Sequence, residues 1–244
     1  AALDRFGAGH RIMLMLDLGD RREGVLETEI IDLARFCREL KNIRIIGLGA
    51  NFSCFAGVKP TPEKLNTLAN IAAFLKEELQ SPIEYVSGGN SSSLPLLYSG
   101  ALPSGINHLR IGEGILLGRE TLTGRILPDL YGDAFVVEAE TLQCRWKPAT
   151  ADGEIGWDAF GRKPEIPEIP NGYRILVNLG QQDCPLPGLT SLDPEIRILG
   201  GSSDYLVLAA PKKLKIGTGI RFLPNYWGLL SLMTSPYVQK CYLY

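Results

Sequence analysis

Two glycine- and serine-rich stretches carry the chemistry that this chain can offer. The first reads Ser87-Gly88-Gly89-Asn90-Ser91-Ser92-Ser93 and the second Leu109-Arg110-Ile111-Gly112-Glu113-Gly114. Each follows an apolar run, Ile83 to Val86 before the first and Ile106 to Ile111 through the second. A Gly/Ser loop that leaves a strand and opens a helix presents unpaired backbone N–H groups and a positive dipole end to an anion. Two such loops on neighbouring parallel strands would converge on one phosphate, and Arg110 between them points to a charged partner at the same place. The bland readings are a helix-capping loop for the first stretch and a surface ion pair for Arg110. An arginine between Leu109 and Ile111 more often has a dedicated acceptor.

The elements that must position these loops alternate. His10 to Leu18 is a nearly continuous apolar strand and ends in Gly19-Asp20-Arg21-Arg22-Glu23-Gly24. Glu27 to Leu40 places Ile30, Ala34, Cys37 and Leu40 on one helical face. Ile43 to Leu48 is a second strand, followed by Gly49-Ala50-Asn51-Phe52-Ser53. Thr61-Pro62 supplies an N-cap and a first-turn proline to a helix carrying Leu65, Leu68, Ala69, Ala72, Leu75 and Leu79. Ile83–Val86 and Ile106–Ile111 are the third and fourth strands. Strand–helix alternation of this kind gives a parallel sheet with right-handed crossovers, whose ligands sit outside the carboxyl ends of the strands. Four such units are too few to close a barrel of eight.

After Gly118 prolines and glycines thicken and helical periodicity is lost. Apolar runs recur at Ala134–Leu142, Tyr173–Leu179, Arg197–Leu199, Tyr205–Ala210, Ile220–Leu223 and Val238–Leu243, separated by turn signals such as Asn171-Gly172. The predicted class is α/β. The chain is expected to be the C-terminal half of a (β/α)8 TIM-type barrel, residues 1–130, followed by a mostly antiparallel β domain, residues 131–244.

Composition narrows the partners. With 25 Lys+Arg against 27 Asp+Glu the net charge is −2, so nucleic acid is not an expected partner. No apolar run approaches the ~20 residues of a membrane span, so no membrane partner is expected either. The five cysteines are scattered, which suits a cytoplasmic protein without disulfides, and they are expected to be buried packing residues. Two histidines argue against a histidine-based metal centre, and no metal is expected.

The order of motifs resembles the alanine racemase-like, fold-type III pyridoxal-phosphate enzymes, nearest to the alanine/ornithine racemase branch. The matching pieces are Leu16 through Gly24, Gly88-Gly89-Asn90-Ser91, Asn107 through Glu113, Gly200-Gly201-Ser202-Ser203-Asp204, and Tyr226 through Val238. The resemblance covers nearly the whole chain, and it rests on order and spacing rather than on any one motif. It implies pyridoxal 5'-phosphate as cofactor, an amino acid as substrate, interconversion of L- and D-amino acids, and a homodimer. It places Arg110 against the pyridine nitrogen. Asn90, Ser91, Gly112, Glu113 and Tyr226 fall at the phosphate, Asn51 beside the cofactor ring, and Arg22 at the substrate carboxylate.

Two departures accompany it. The family's Schiff-base lysine lies on the first barrel strand, and none of Lys41, Lys59, Lys64, Lys76 or the lysines from Lys147 onward matches it. The chain is therefore expected to be a fragment whose lysine lies upstream and which is inactive alone. Where the family has a tyrosine base, the aligned run is Gly180-Gln181-Gln182-Asp183, which leaves Asp183, Asp204 and Tyr205 as candidate catalytic groups. The alternative is a non-catalytic module that binds the cofactor or a partner without the lysine. A related lyase or aldolase would be expected to carry a metal-binding His/Cys pair, and no such pair is present in the sequence.

Overall fold

A computed structural model describes residues 9–149, 151–158, 160, 161, 163 and 171–243. The chain divides into two compact units, residues 1–132 and 133–244.

The first unit is built on a parallel sheet of three strands in the order β1-β2-β3: β1 (His10–Leu16), β2 (Ile43–Ala50) and β3 (Tyr85–Ser87). Helix α1 (Ile30–Glu39) connects β1 to β2, and α2 (Pro62–Leu79) connects β2 to β3. These are the βαβ crossovers read from the sequence. The α1 face Ile30, Ala34 and Cys37 is buried, as is the α2 face Leu65, Leu68, Ala72, Leu75 and Leu79, together with Leu14, Leu16, Ile45 and Leu48 of the strands. Burying each of these larger side chains contributes about 1.5–3 kcal/mol. Leu40 is exposed instead of buried, because α1 ends at Glu39 and Leu40 leaves in an extended conformation as its C-cap. Thr61 caps α2 through a hydrogen bond from the Lys64 amide at 3.3 Å.

The fourth predicted strand does not form a ladder. Residues 106–111 lie beside β3, but only an isolated parallel bridge joins Ser87 to His108. The cause is Asn107. Its side-chain carbonyl accepts from the Val86 amide at 2.8 Å, and its side-chain amide donates to the Glu84 carbonyl at 2.9 Å. One side chain thus occupies the Val86 amide and the Glu84 carbonyl, while the Val86 carbonyl and the Gly88 amide still pair with the backbone of residues 107 and 108. Between β3 and this segment lie a 3-10 turn at Ser91–Ser93 and the short helix α3 (Leu94–Tyr98), and a second short helix, α4 (Glu113–Leu117), follows it.

The second unit is an antiparallel sheet of six strands in the order β6-β9-β4-β5-β8-β7. Its strands are β4 (Val137–Lys147), β5 (Gly172–Val177), β6 (Leu189–Ser191), β7 (Arg197–Gly201), β8 (Leu206–Ala210) and β9 (Gly219–Pro224). The long β4 joins two halves, pairing with β9 through Val137–Glu140 and with β5 through Thr141–Lys147. Inward residues Ile175, Val177, Leu206, Leu208, Ile220 and Phe222 form its core.

Three sequence readings fail in this unit. The run Val238–Leu243 is irregular rather than a strand. The short β6 has no counterpart among the predicted strands. Helical order does return, as α5 (Tyr226–Thr234), capped by Asn225 accepting from the Gly228 amide at 3.0 Å. Among the cysteines, Cys37, Cys144 and Cys184 are buried, whereas Cys54 and Cys241 are exposed. Among the described residues, no helix is long and apolar enough to cross a membrane.

Candidate functional site

In the first unit the segments that follow β1, β2 and β3 meet beyond the carboxyl ends of the strands. Asp20 anchors the segment after β2. Its buried carboxylate accepts from the amides of Cys54 and Phe55 (3.1 and 3.0 Å) and, through the other oxygen, from Ala56 and Val58 (3.2 and 3.4 Å). The Phe52 carbonyl in turn accepts from the side-chain amide of Asn90 at 2.7 Å, which ties the β2 segment to the Gly/Ser loop. Gly89 allows this approach. Its φ is +105°, and a Cβ there would lie 3.0 Å from the Phe52 ring.

Arg110 is at the centre of the cluster. One guanidinium nitrogen, Nη2, donates to the Ala50 carbonyl at 3.0 Å and to Asn51 Oδ1 at 2.6 Å, and Nη1 donates to Ser87 Oγ. Arginine carries five N–H donors, so these three bonds leave Nε–H and one Nη1–H for a ligand. Burial lowers the Arg110 pKa from its ordinary value, and the nearby Glu23 carboxylate works against that shift. Asn51 also donates its side-chain amide to Glu23, which pairs with Arg22 at 2.9 Å. Arg22, Asn51 and Arg110 therefore belong to one connected group, with Glu23 and Ser87 as members that the sequence reading missed. Glu23 was hidden in a charged run, and Ser87 looked like the first residue of the cradle.

The cradle residues divide by the groups they leave unpaired. The Asn90 side chain is used within the fold, donating to Phe52 and accepting from the Ser92 amide at 2.8 Å. Ser91 Oγ accepts from the Gly114 amide at 2.9 Å and so joins the Gly/Ser loop to α4. The amides of Ser91, Gly112 and Glu113 have no protein acceptor among the described residues. Open space surrounds the position a Gly112 Cβ would take. The fully buried Ser92 hydroxyl has no hydrogen-bond partner among the described residues. Burial raises the Glu113 pKa, with Arg119 opposing and Glu120 adding to the effect.

The remaining candidates lie in the second unit. Tyr226 is the first residue of α5 and is half exposed. Asp183 is 4 % exposed and accepts from Ser235 Oγ at 2.6 Å, which ties it to the end of α5. Asp204 accepts from Ser203 Oγ at 2.7 Å on the β7–β8 turn, and Tyr205 is 44 % exposed on the same turn. The Gln181 and Gln182 amides donate to the Ser202 and Ser203 carbonyls, both at 3.0 Å. The segment carrying Asp183 is thereby clasped to the turn carrying Asp204 and Tyr205.

Solved structures share this fold. D-threonine aldolase from Filomicrobium marinum aligns at TM-score 0.64 and 16% identity, over 94% of this chain and 58% of that one. Alanine racemase from Streptomyces lavendulae aligns at TM-score 0.62 and 17% identity, over 92% and 59%. Likeness at that identity concerns the fold alone. In sequence, residues 1–120 match the alanine racemase N-terminal domain. The ornithine racemase of Acetoanaerobium sticklandii is 40% identical over 237 residues, covering 95% of this chain and 67% of that protein. The lysine racemase of Thermotoga maritima is 39% identical over 234 residues, covering 95% and 65%. The chain belongs to the alanine racemase family, and it spans about two thirds of the length of these curated relatives.

Proposed function

We propose that this chain carries the cofactor- and substrate-holding residues of a pyridoxal-phosphate-dependent amino-acid racemase acting on dibasic amino acids, ornithine and lysine first. The substrate reading rests on similarity to an ornithine and a lysine racemase. The observation that carries the site reading is the arrangement at Arg110, where three bonds fix the guanidinium and two donors stay free.

The donor set fits the cofactor. Free amides at Ser91, Gly112 and Glu113 suit a phosphate, as does the unpartnered Ser92 hydroxyl. By the family resemblance, Asn51 and Tyr226 are further cofactor-binding candidates. Bound there, pyridoxal phosphate supplies the electron sink that makes an amino acid's α-proton acidic.

The protein's own residues set the conditions for that chemistry. Arg110 cannot give up a proton near neutral pH, so an acceptor nitrogen it faces stays unprotonated. Arg22 offers a planar fork to the substrate carboxylate. Of the three candidate proton carriers, Asp183 and Asp204 are engaged by serine hydroxyls. The Tyr205 hydroxyl has no protein partner among the described residues, and we assign it the proton-carrying role. The reading includes a homodimeric cytoplasmic assembly, which light scattering after size exclusion tests for the dimer.

The test is a racemisation panel on the longest reading frame that contains these 244 residues, with the cofactor supplied. Interconversion of D- and L-ornithine or lysine is expected, with alanine slower. Cofactor binding without interconversion of any amino acid would favour the non-catalytic module instead.

A further inference from the structure

One line of polar contacts crosses the site. Arg22 Nη2 donates to Glu23 Oε1 at 2.9 Å, and the same oxygen accepts from Asn51 Nδ2. Asn51 Oδ1 accepts from Arg110 Nη2 at 2.6 Å, Arg110 Nη1 donates to Ser87 Oγ, and Ser87 Oγ bonds His108 Nδ1 at 2.9 Å. Asn51 can take only one orientation in this line. Its amide end must face the carboxylate and its carbonyl end the guanidinium, since a flipped side chain would set donor against donor and acceptor against acceptor. Ser87 is fully buried, so the far end of the line is shielded from water.

We propose that Glu23 is a positioning residue that couples the two arginines, fixing Arg110 through Asn51 while holding Arg22 directly. This rests on the assignment of Arg22 to substrate and Arg110 to cofactor. The charge count supports it. Two guanidinium groups share one carboxylate, leaving one positive charge, which the carboxylate of an incoming amino acid would balance. An anion arriving at Arg22 competes with Glu23 for that guanidinium. Glu23 then bears more fully on Asn51, and Arg110 is held more tightly just as substrate binds. The proximity of Arg22 and Arg110, which oppose each other's charge, gives Glu23 a reason to stand between them.

The chain contains two histidines, His10 and His108, so ring NMR signals report on the far end of this line with one internal reference. The measurement uses the full chain without cofactor, which separates it from the racemase reading. A failure of that reading would show in the racemisation panel and would leave the effects of Glu23→Gln, Asn51→Ala and Ser87→Ala on these signals unchanged. In Glu23→Gln and in Asn51→Ala, the His108 signals are expected to shift while His10 stays in place. The double variant is expected to shift them no further than Asn51→Ala alone. Ser87→Ala, which breaks the last link, establishes that His108 reports. L-Ornithine is expected to shift His108 in the native chain and not in Glu23→Gln. His108 signals unmoved by both Glu23→Gln and Asn51→Ala, with Ser87→Ala moving them, would overturn the proposal. An ornithine response that is equal with and without Glu23 would overturn it too.

Discussion

Gly49 lies against the guanidinium of Arg110: a Cβ built on that glycine would come 3.1 Å from Nη1. The strand that carries Gly49 thus leaves a gap for the arginine of a neighbouring segment. The other close atoms are the sulfurs of Met13 and Met15, at 2.9 and 3.2 Å, which are far ends of flexible side chains and can give way.

Gly49→Ala is therefore expected to leave the fold in place and displace Arg110. Thermal unfolding should change by a few degrees at most, while pyridoxal-phosphate affinity should fall on the order of tenfold, about 1.4 kcal/mol. Fluorescence titration measures this. An unchanged affinity would mean that Arg110 does not face the cofactor.

Acid should find a specific weak point at Glu120. Burial alone would raise its pKa, but bonds from the Thr123 hydroxyl and from the Leu122, Arg125 and Thr123 amides outweigh that and hold it below the ordinary glutamate value of 4.5. A group depressed in the folded state binds more protons when unfolded, so its stabilisation is present above 4.5 and is lost as pH falls through the folded value. Urea midpoints between pH 6 and pH 3 should fall less steeply in Glu120→Gln than in the native chain. Identical slopes would contradict this.

Thiol chemistry should separate the cysteines. Cys184 is fully buried, and burial together with the Asp183 charge pushes its pKa up to about 12. Cys54 is exposed and its sulfur accepts from the Asn90 side chain at 3.3 Å, beside the proposed cradle. Iodoacetamide at pH 8 is expected to label Cys54 and spare Cys184, and inorganic phosphate or pyridoxal phosphate should slow labelling at Cys54. Mass spectrometry of the labelled peptides distinguishes the outcomes, and rapid labelling of Cys184 in the folded chain would count against the burial described.

The first unit was legible where periodicity was strong. The faces of α1 and α2 and the apolar strands before them follow from spacing alone, because tertiary packing there agrees with local pattern. Residues 106–111 were misread because a single side chain, Asn107, takes the Val86 amide and the Glu84 carbonyl, two backbone groups that a longer ladder would pair. Helix α5 was missed because Tyr226–Thr234 is apolar on nearly every side and carries Gly228, so it has no helical polar–apolar rhythm. Within the site, Arg110 and the Gly/Ser loop could be read from residue type. Glu23 and Ser87 could not, since their role comes from long-range contacts, with Asn51 and Arg110, that join segments far apart in the sequence.

The central claim is that Arg110 holds the pyridine nitrogen of a bound cofactor unprotonated. Nitrogen-15 NMR of the protein saturated with ring-labelled pyridoxal phosphate tests it most directly. The expected result is a pyridine shift of the unprotonated form from pH 6 to pH 9, lost in Arg110→Glu, where a carboxylate would favour the protonated ring. A pyridinium shift in the native protein would contradict the account.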